Sequence, residues 1–308
     1  MRLIHLTDPH LTSLEDVPLS ALGGKRWSGY LSWRRRRRFA HRPEALDALT
    51  AAVLAEDPVQ ILVTGDLVHI GLPGEIEAAA RWLEALGPAE RVMLVPGNHD
   101  AYAGDSWPAV AAAWGPYLGG ADGHEGFPVV RRLARNGVEV HLVGASSAQP
   151  TPLFMASGGL GRAQLEAVQG ALEGVGGLRC LLIHHPPLPG MTSRRKGLRD
   201  AAALAKVLED TGAELVLHGH VHRNVRRPAP GGGRIFGTAS ASHVEPGRSG
   251  DRGASYRVFE LDTDGAGDAI RVTMRLMGVS AAGAVACLDE ESWTVPVSRP
   301  ARAASGAR

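Results

Sequence analysis

The chain has 308 residues, 44% of them hydrophobic, with 33 basic against 32 acidic side chains and a net charge of +1. That balance belongs to a folded globular chain, excludes disorder as its general state, and gives no overall charge that by itself calls for a polyanionic partner. Two cysteines, Cys180 in an apolar run and Cys287 among small residues, exclude a disulfide framework or a thiolate metal site and fit a reducing cytoplasm. Met1 to Thr7 runs directly into a strand without an apolar stretch of signal-peptide length. No window is long and uncharged enough to span a bilayer, so a cytoplasmic location is expected.

Leu3 to Thr7 is a short apolar strand that ends in Asp8-Pro9-His10. Glu15 to Arg42 follows as a basic and aromatic segment, stringing Lys25, Arg26, Trp27, Tyr30 and Trp33 into Arg34 through Arg38 and then Phe39. Pro43 to Glu56 is an amphipathic helix with proline in its first turn, and Gln60 to Thr64 is a buried strand that ends in Gly65-Asp66. Strand, helix and strand in that order read as a parallel βαβ unit. A helix over Gly74 to Leu86 and a strand over Arg91 to Val95 come next. That strand runs into Pro96-Gly97-Asn98-His99-Asp100, and Ser106 to Trp114 is helical.

Strands over Val138 to Ala145 and Arg179 to His184 flank a helix over Arg162 to Leu172, whose start is marked by Gly158-Gly159-Leu160-Gly161. Asp200 to Thr211 is a helix capped by Asp200 and ended at Gly212, before a strand over Glu214 to Leu217 that leads into His218-Gly219-His220-Val221-His222. Beyond His222 only strands are expected: Asn224 to Arg227, Arg234 to Thr238, Tyr256 to Leu261 and Ala269 to Leu276, read as a second sheet packed on the first. The result is an α/β protein of two mixed sheets flanked by helices, one domain over residues 1–297, with a basic aromatic insertion at about 15–42 and a disordered tail at 298–308.

The polar clusters share a position: each follows an apolar strand. A core strand gains nothing from ending in carboxylate, imidazole and amide groups, whereas a strand-end loop can hold them toward a cleft. Singly, Asp-x-His, Gly-Asp or Asn-His is as ordinary as a surface turn. His-Gly-His-x-His says more, because His220 and His222 point the same way from an extended segment. Donors of this mixture suit Mn²⁺, Fe or Zn²⁺, and the lack of nearby cysteine argues against a closed structural zinc site.

In order along the chain, Asp8-x-His10, Gly65-Asp66, Gly97-Asn98-His99-Asp100, His184 and Gly219-His220-x-His222 resemble the calcineurin-like metallophosphoesterases, over residues 3 to 223. The resemblance implies a four-layer α/β/β/α sandwich and two divalent or Fe-type metal ions. Asp8, His10, Asp66 and His222 would hold one ion, and Asp66, Asn98, His184 and His220 the other. It further implies a hydroxide between the ions as nucleophile, His99 assisting at the transition state or the leaving group, and Asp100 orienting the His99 ring. His185 stays open as an alternative to His184.

Of the thirteen histidines, His5, His69, His124, His141 and His243 read first as structural or solvent-facing, with His69, three residues past Asp66, the best placed to touch substrate. His185 and His218 read as hydrogen-bonding neighbours of ligands. The segment Lys25 to Arg42 is read either as a solvated charged face or as a surface for anionic lipid headgroups, with nucleic acid ranked lower because no stacking platform accompanies it.

The function expected is hydrolysis of a phosphodiester or pyrophosphate bond, on a cyclic nucleotide or another nucleotide-linked substrate. The alternative is a UDP-2,3-diacylglucosamine pyrophosphohydrolase type of enzyme, peripheral at the inner membrane face. A non-catalytic phosphate-binding protein is the alternative of another class, and it predicts missing ligands where every block is intact. Oligomeric state is not readable from these patterns.

Overall fold

A computed structural model describes residues 1–120, 126–244, 253–265, 267–279 and 284–297. The expected disordered tail at 298–308, and His124, lie outside these residues. Two six-stranded mixed sheets form the molecule. β1 (Arg2–Leu6), β2 (Gln60–Val63) and β3 (Val92–Leu94) run parallel at the centre and one edge of the first sheet, with Ile4 beside Ile61 and Ile61 beside Val92. The second sheet is built on β5 (Val138–Gly144), β6 (Leu178–Leu182), β7 (Leu215–His218) and β9 (Arg234–Gly237), again parallel, with β4 (Val129–Arg135) and β8 (Val225–Pro228) antiparallel at its edges.

The central strands are apolar on both faces because each is covered twice. Val140, Leu142, Leu182, Leu217 and Phe236 of the second sheet share one buried cluster with Leu3, Ile61, Val258 and Val272 of the first, so the inner faces pack on each other. Val143, Leu181, Val216 and Ile235 point the other way, onto Val168, Leu204 and Leu208 of α6 (Gly161–Leu172) and α7 (Ala201–Thr211). α3 (Pro43–Ala55) lies against strands of the first sheet, and α4 (Pro73–Leu86) packs on α5 (Ser106–Trp114). These are the expected α/β/β/α layers.

Two expectations change. The C-terminal strands do not form a sheet of their own. β8 and β9 extend the second sheet, while β10 (Ser255–Thr263) pairs antiparallel with β1 and carries β11 (Ala269–Val279) and β12 (Val285–Pro296). Turn spacing identifies strands but not their partners, and here the partner is the buried N-terminal strand. Asp200 does not cap its own helix, since its Oδ2 accepts the Leu160 and Gly161 N–H groups at 2.8 and 2.7 Å, at the start of α6.

The basic segment is helical. It folds as α1 (Lys25–Ser32), one π-helical turn over Trp33–Arg37, and α2 (Arg38–Ala40). Trp33 is buried with Leu14, Leu22, Ile70, Leu72 and Tyr102 in a cluster of its own. Gly29 is where α1 touches the body, for a Cβ there would collide with Tyr102 and Ile70. Arg26 grips Asp105 through two nitrogens at 2.9 and 2.8 Å.

Candidate metal centre

The ends of five parallel strands, β1, β2, β3, β6 and β7, release their polar clusters into one cleft at the carboxyl edge of the two sheets. The backbone there is forced. Asp8, His10, Asp66, His220 and His222 all have φ between 43° and 69°, in the left-handed region that non-glycine residues rarely adopt. Such conformations cost about 1–3 kcal/mol each and persist where surrounding structure over-determines them. Gly97 has the opposite role: a Cβ there would strike the Asp66 carboxylate, so only glycine lets the two loops close.

Asp66 is the hub. Its Oδ1 accepts the His99 N–H at 2.7 Å, and its Oδ2 lies 3.3 Å from His184 Nε2. Donor atoms of His10, Asp66 and His99 lie within 4.8 Å of one another, as do those of Asp66, His184 and His220, so Asp66 belongs to both groups. Asp8 Oδ1 lies 3.1 Å from His222 Nε2, and its Oδ2 accepts the Thr7 hydroxyl at 2.7 Å and the His220 N–H at 3.0 Å. The rings are aimed from behind. His10 Nδ1–H donates to the Val68 carbonyl at 2.9 Å and His184 Nδ1–H to the Thr64 carbonyl, which leaves Nε2 of each facing the cleft.

The residues fit two cations. Among the described residues Asp8 Oδ1, Asn98 Oδ1, His184 Nε2 and His220 Nε2 are buried and make no hydrogen bond, although Asp8 Oδ1 and His184 Nε2 each face an oppositely charged group, and for Asn98 and His220 this is a costly state unless a further partner takes them up. The charges agree. Burial opposes ionisation of Asp8, but the imidazoles of His222 and His184 and the Thr7 hydroxyl hold its carboxyl at about 2. Burial likewise disfavours protonation of His184, yet the Asp66 carboxylate raises its pKa to about 9. The Asp8 carboxylate is thus held ionised by the imidazoles around it.

His184, rather than His185, faces the centre. Both ring nitrogens of His185 are engaged elsewhere, at 2.8 Å to Ser147 Oγ and 3.2 Å to the Ala156 carbonyl. His99 is held by its Nδ1–H, donated to the His69 carbonyl, and its ring stacks on Tyr102 with centroids 5.4 Å apart. Burial and the Arg37 guanidinium keep its pKa well below the usual histidine value.

Asp100 does not orient the His99 ring. Its carboxylate is fully buried and accepts the N–H groups of Asp66, Leu67 and Gly97, each at 2.8 Å, so it clamps the loops after β2 and β3 together. Burial and the neighbouring Asp66 push this carboxyl up to about 7, against the pull of the Gly97 and Leu67 N–H groups. His69 is structural, as first read, being 1% exposed with its ring stacked on His10 at 4.9 Å. His5 bridges Thr64 and Thr238, and His141 bonds Glu139; both are buried within sheets. His218 is fully buried and directed at the Gly219 carbonyl, and His243 forms a backbone bridge with His41.

A cleft of about 660 Å³ opens over the donors. The strand-end motifs miss part of its wall. Arg36, Arg37 and His41 line it from the basic segment, and Lys196 and Arg227 from the other side. His41 lies 4.6 Å from His10 by ring centroids, and its donor atom groups with those of His10 and His222. Its Nδ1 is engaged by Ser242 Oγ at 2.7 Å. The signal for these residues was helical: Trp33, Arg37 and His41 are spaced by four and fall on one face once the segment winds.

A family model described as calcineurin-like phosphoesterase matches residues 1–224. No curated protein matches the sequence. Among solved structures, a dimetal phosphatase from Danio rerio is similar with a TM-score of 0.62 at 16% identity, covering 97% of this chain and 99% of that one. GAP50, the anchor in the inner membrane complex of Plasmodium, gives 0.57 at 12% identity over 97% and 89% of the two chains. A purple acid phosphatase from yellow lupin seeds gives 0.55 at 12% identity over 96% and 53%. At such identities the likeness is one of fold.

Proposed function

The chain belongs to the calcineurin-like phosphoesterase family, and we propose that it is a two-metal hydrolase of a nucleotide-linked phosphodiester or pyrophosphate bond. The observation that carries this reading is the pair of donor groups sharing one carboxylate, Asp66, together with the buried atoms of Asp8, Asn98, His184 and His220 that make no hydrogen bond among the described residues. Asp8, His10, Asp66 and His222 would hold one ion, and Asp66, Asn98, His184 and His220 the other. When bound, such ions supply Lewis-acid charge for phosphoryl oxygens and lower the pKa of a water toward about 7. Manganese, iron and zinc all suit these donors.

The chain's own residues do the rest. His99 is fixed through Nδ1, and its other ring nitrogen can deliver a proton to the leaving oxygen only in the imidazolium form, which burial and Arg37 disfavour until anionic charge arrives beside it. The Thr7 hydroxyl and the His220 N–H hold the Asp8 carboxylate in one orientation. The cleft's size and its cations, Arg36, Arg37, Lys196 and Arg227, favour a substrate with anionic charge beyond the reacting phosphoryl group.

His99→Ala tests the assignment. With Mn²⁺ supplied and a phosphodiester of a poor leaving group as substrate, turnover falls roughly 10²–10⁴-fold while both metals stay bound. An activated nitrophenyl diester is hurt less. Loss of metal in this variant would make His99 a ligand, and unchanged turnover on the poor leaving group would remove it from the chemistry.

A second reading concerns where the substrate is met. Trp27 and Phe39 are 44% and 56% exposed on the outer side of the basic segment, among the exposed Arg34, Arg35 and Arg38. Lys25 reaches Thr151 at 2.8 Å, beside a loop that also exposes Leu153 and Phe154. Apolar rings ringed by arginines support docking on an anionic membrane surface and a lipid-linked substrate there.

A further inference from the structure

The basic segment has an inner face as well as an outer one, and the inner face lines the cleft. Arg37 stands one helical turn past the buried Trp33 and one turn before His41, so one stripe of the segment runs from an apolar anchor to the donor cluster. The Arg37 Nη1 lies 3.4 Å from His99 Nδ1. That nitrogen already donates its proton to the His69 carbonyl, so it has no lone pair to offer and the contact is not a hydrogen bond. Among the described residues no carboxylate pairs with the Arg37 guanidinium, although the fields of Asp66 and Asp8 reach it.

A guanidinium taken partly out of water, without a carboxylate partner among the described residues, and lining the cleft is a fork suited to an oxyanion. The alternative is a cation that merely borders solvent, as Arg34 and Arg35 do. Arg37 differs from them in being held. Trp33 packs on Ile70, Leu72 and Tyr102, Arg26 pairs with Asp105, and Lys25 Nζ rests 4.5 Å above the Tyr102 ring that stacks on His99. The segment is therefore tied to the same loops that carry the donors, and Arg37 needs no rearrangement to reach a group lying against His99.

We infer that Arg37 binds a phosphoryl oxygen of the substrate, making the basic segment a working wall of the site. The inference rests on the hydrolase reading above and adds a residue to it. Its place beside His99 puts the guanidinium on the leaving-group side of the phosphorus, where charge grows as the bond breaks, so it acts in the transition state more than in the ground state. No covalent step is assigned to it.

The test uses full-length Mn²⁺-loaded protein, with inorganic phosphate as a calorimetric probe and a nitrophenyl phosphodiester for turnover. Arg37→Met keeps the aliphatic stem and should keep both metals and the melting temperature. Phosphate affinity should fall roughly 10- to 100-fold, the range of one lost charge-assisted hydrogen bond. Most of the loss in kcat/KM should come from kcat. Arg37→Lys should recover part of the phosphate affinity and less of kcat, because a point charge replaces a fork.

Wild-type affinity for phosphate in Arg37→Met, with metals in place, would overturn the inference while leaving the hydrolase reading intact. A two-metal wild-type protein that neither binds phosphate nor hydrolyses the diester would overturn both.

Discussion

Asp100 illustrates how a residue inside a reactive motif can serve the scaffold. Its carboxylate collects three buried backbone N–H groups from two loops, and those loops present Asp66, Asn98 and His99. Each buried donor left without an acceptor costs about 1–3 kcal/mol. Asp100→Ala is therefore expected to lower stability by roughly 3 kcal/mol or more, read as a shifted urea midpoint, and Asp100→Asn by less because one carbonyl oxygen still accepts. An alanine variant with the wild-type midpoint would return Asp100 to the chemistry of the motif. The convergence of the strand-end polar clusters on one cleft was legible in the sequence because buried strands do not otherwise end in carboxylate, imidazole and amide groups. The role of Asp100 was not, since nothing in Asn98-His99-Asp100 says which way the third side chain turns. Arg37 and His41 were hidden for a different reason, because they converge on the site through a helical turn and not through a strand end.

At the scale of elements, the alternation of apolar strands with amphipathic helices up to His222 was readable because buried parallel strands are apolar throughout and their helices carry one apolar stripe. β4 and β12 escaped that reading. Both are edge strands, and their sequences, Val129-Val130-Arg131-Arg132 and Asp289-Glu290-Glu291, carry the charge that edges tolerate and cores do not. The basic segment escaped it as well, since arginines in a row mask periodicity while Trp33 turns inward to the cluster with Ile70 and Tyr102. Its two faces lead to separable expectations. The outer one, with Trp27, Phe39, Arg34 and Arg38, should hold the protein on anionic vesicles at low salt, each basic side chain contributing about 1 kcal/mol near such a surface. Arg34→Ser with Arg38→Ser should release it in flotation without changing hydrolysis of a small soluble diester. Wild-type protein that ignores anionic vesicles at low ionic strength would end the membrane reading and leave the inner face untouched.

The whole molecule is two mixed sheets, and the cleft is where the carboxyl ends of five of their parallel strands must be reconciled. Its backbone there is forced into left-handed conformations at Asp8, His10, Asp66, His220 and His222, while β10 and the C-terminal strands buttress β1 from the other side. No helix among the described residues is long and apolar enough to cross a membrane. We propose that two cations sharing Asp66 take up the buried donor atoms that make no hydrogen bond among the described residues, and that is the claim on which the rest depends. The measurement that tests it most directly is the metal-to-protein ratio, by elemental analysis, of the wild-type chain and of Asp66→Asn after equilibration with Mn²⁺ and gel filtration. The account predicts about two ions per wild-type chain and loss at both positions in the variant, because an amide cannot supply the bridging charge. A variant that retains the full wild-type content, or a wild-type chain that holds none, would contradict it.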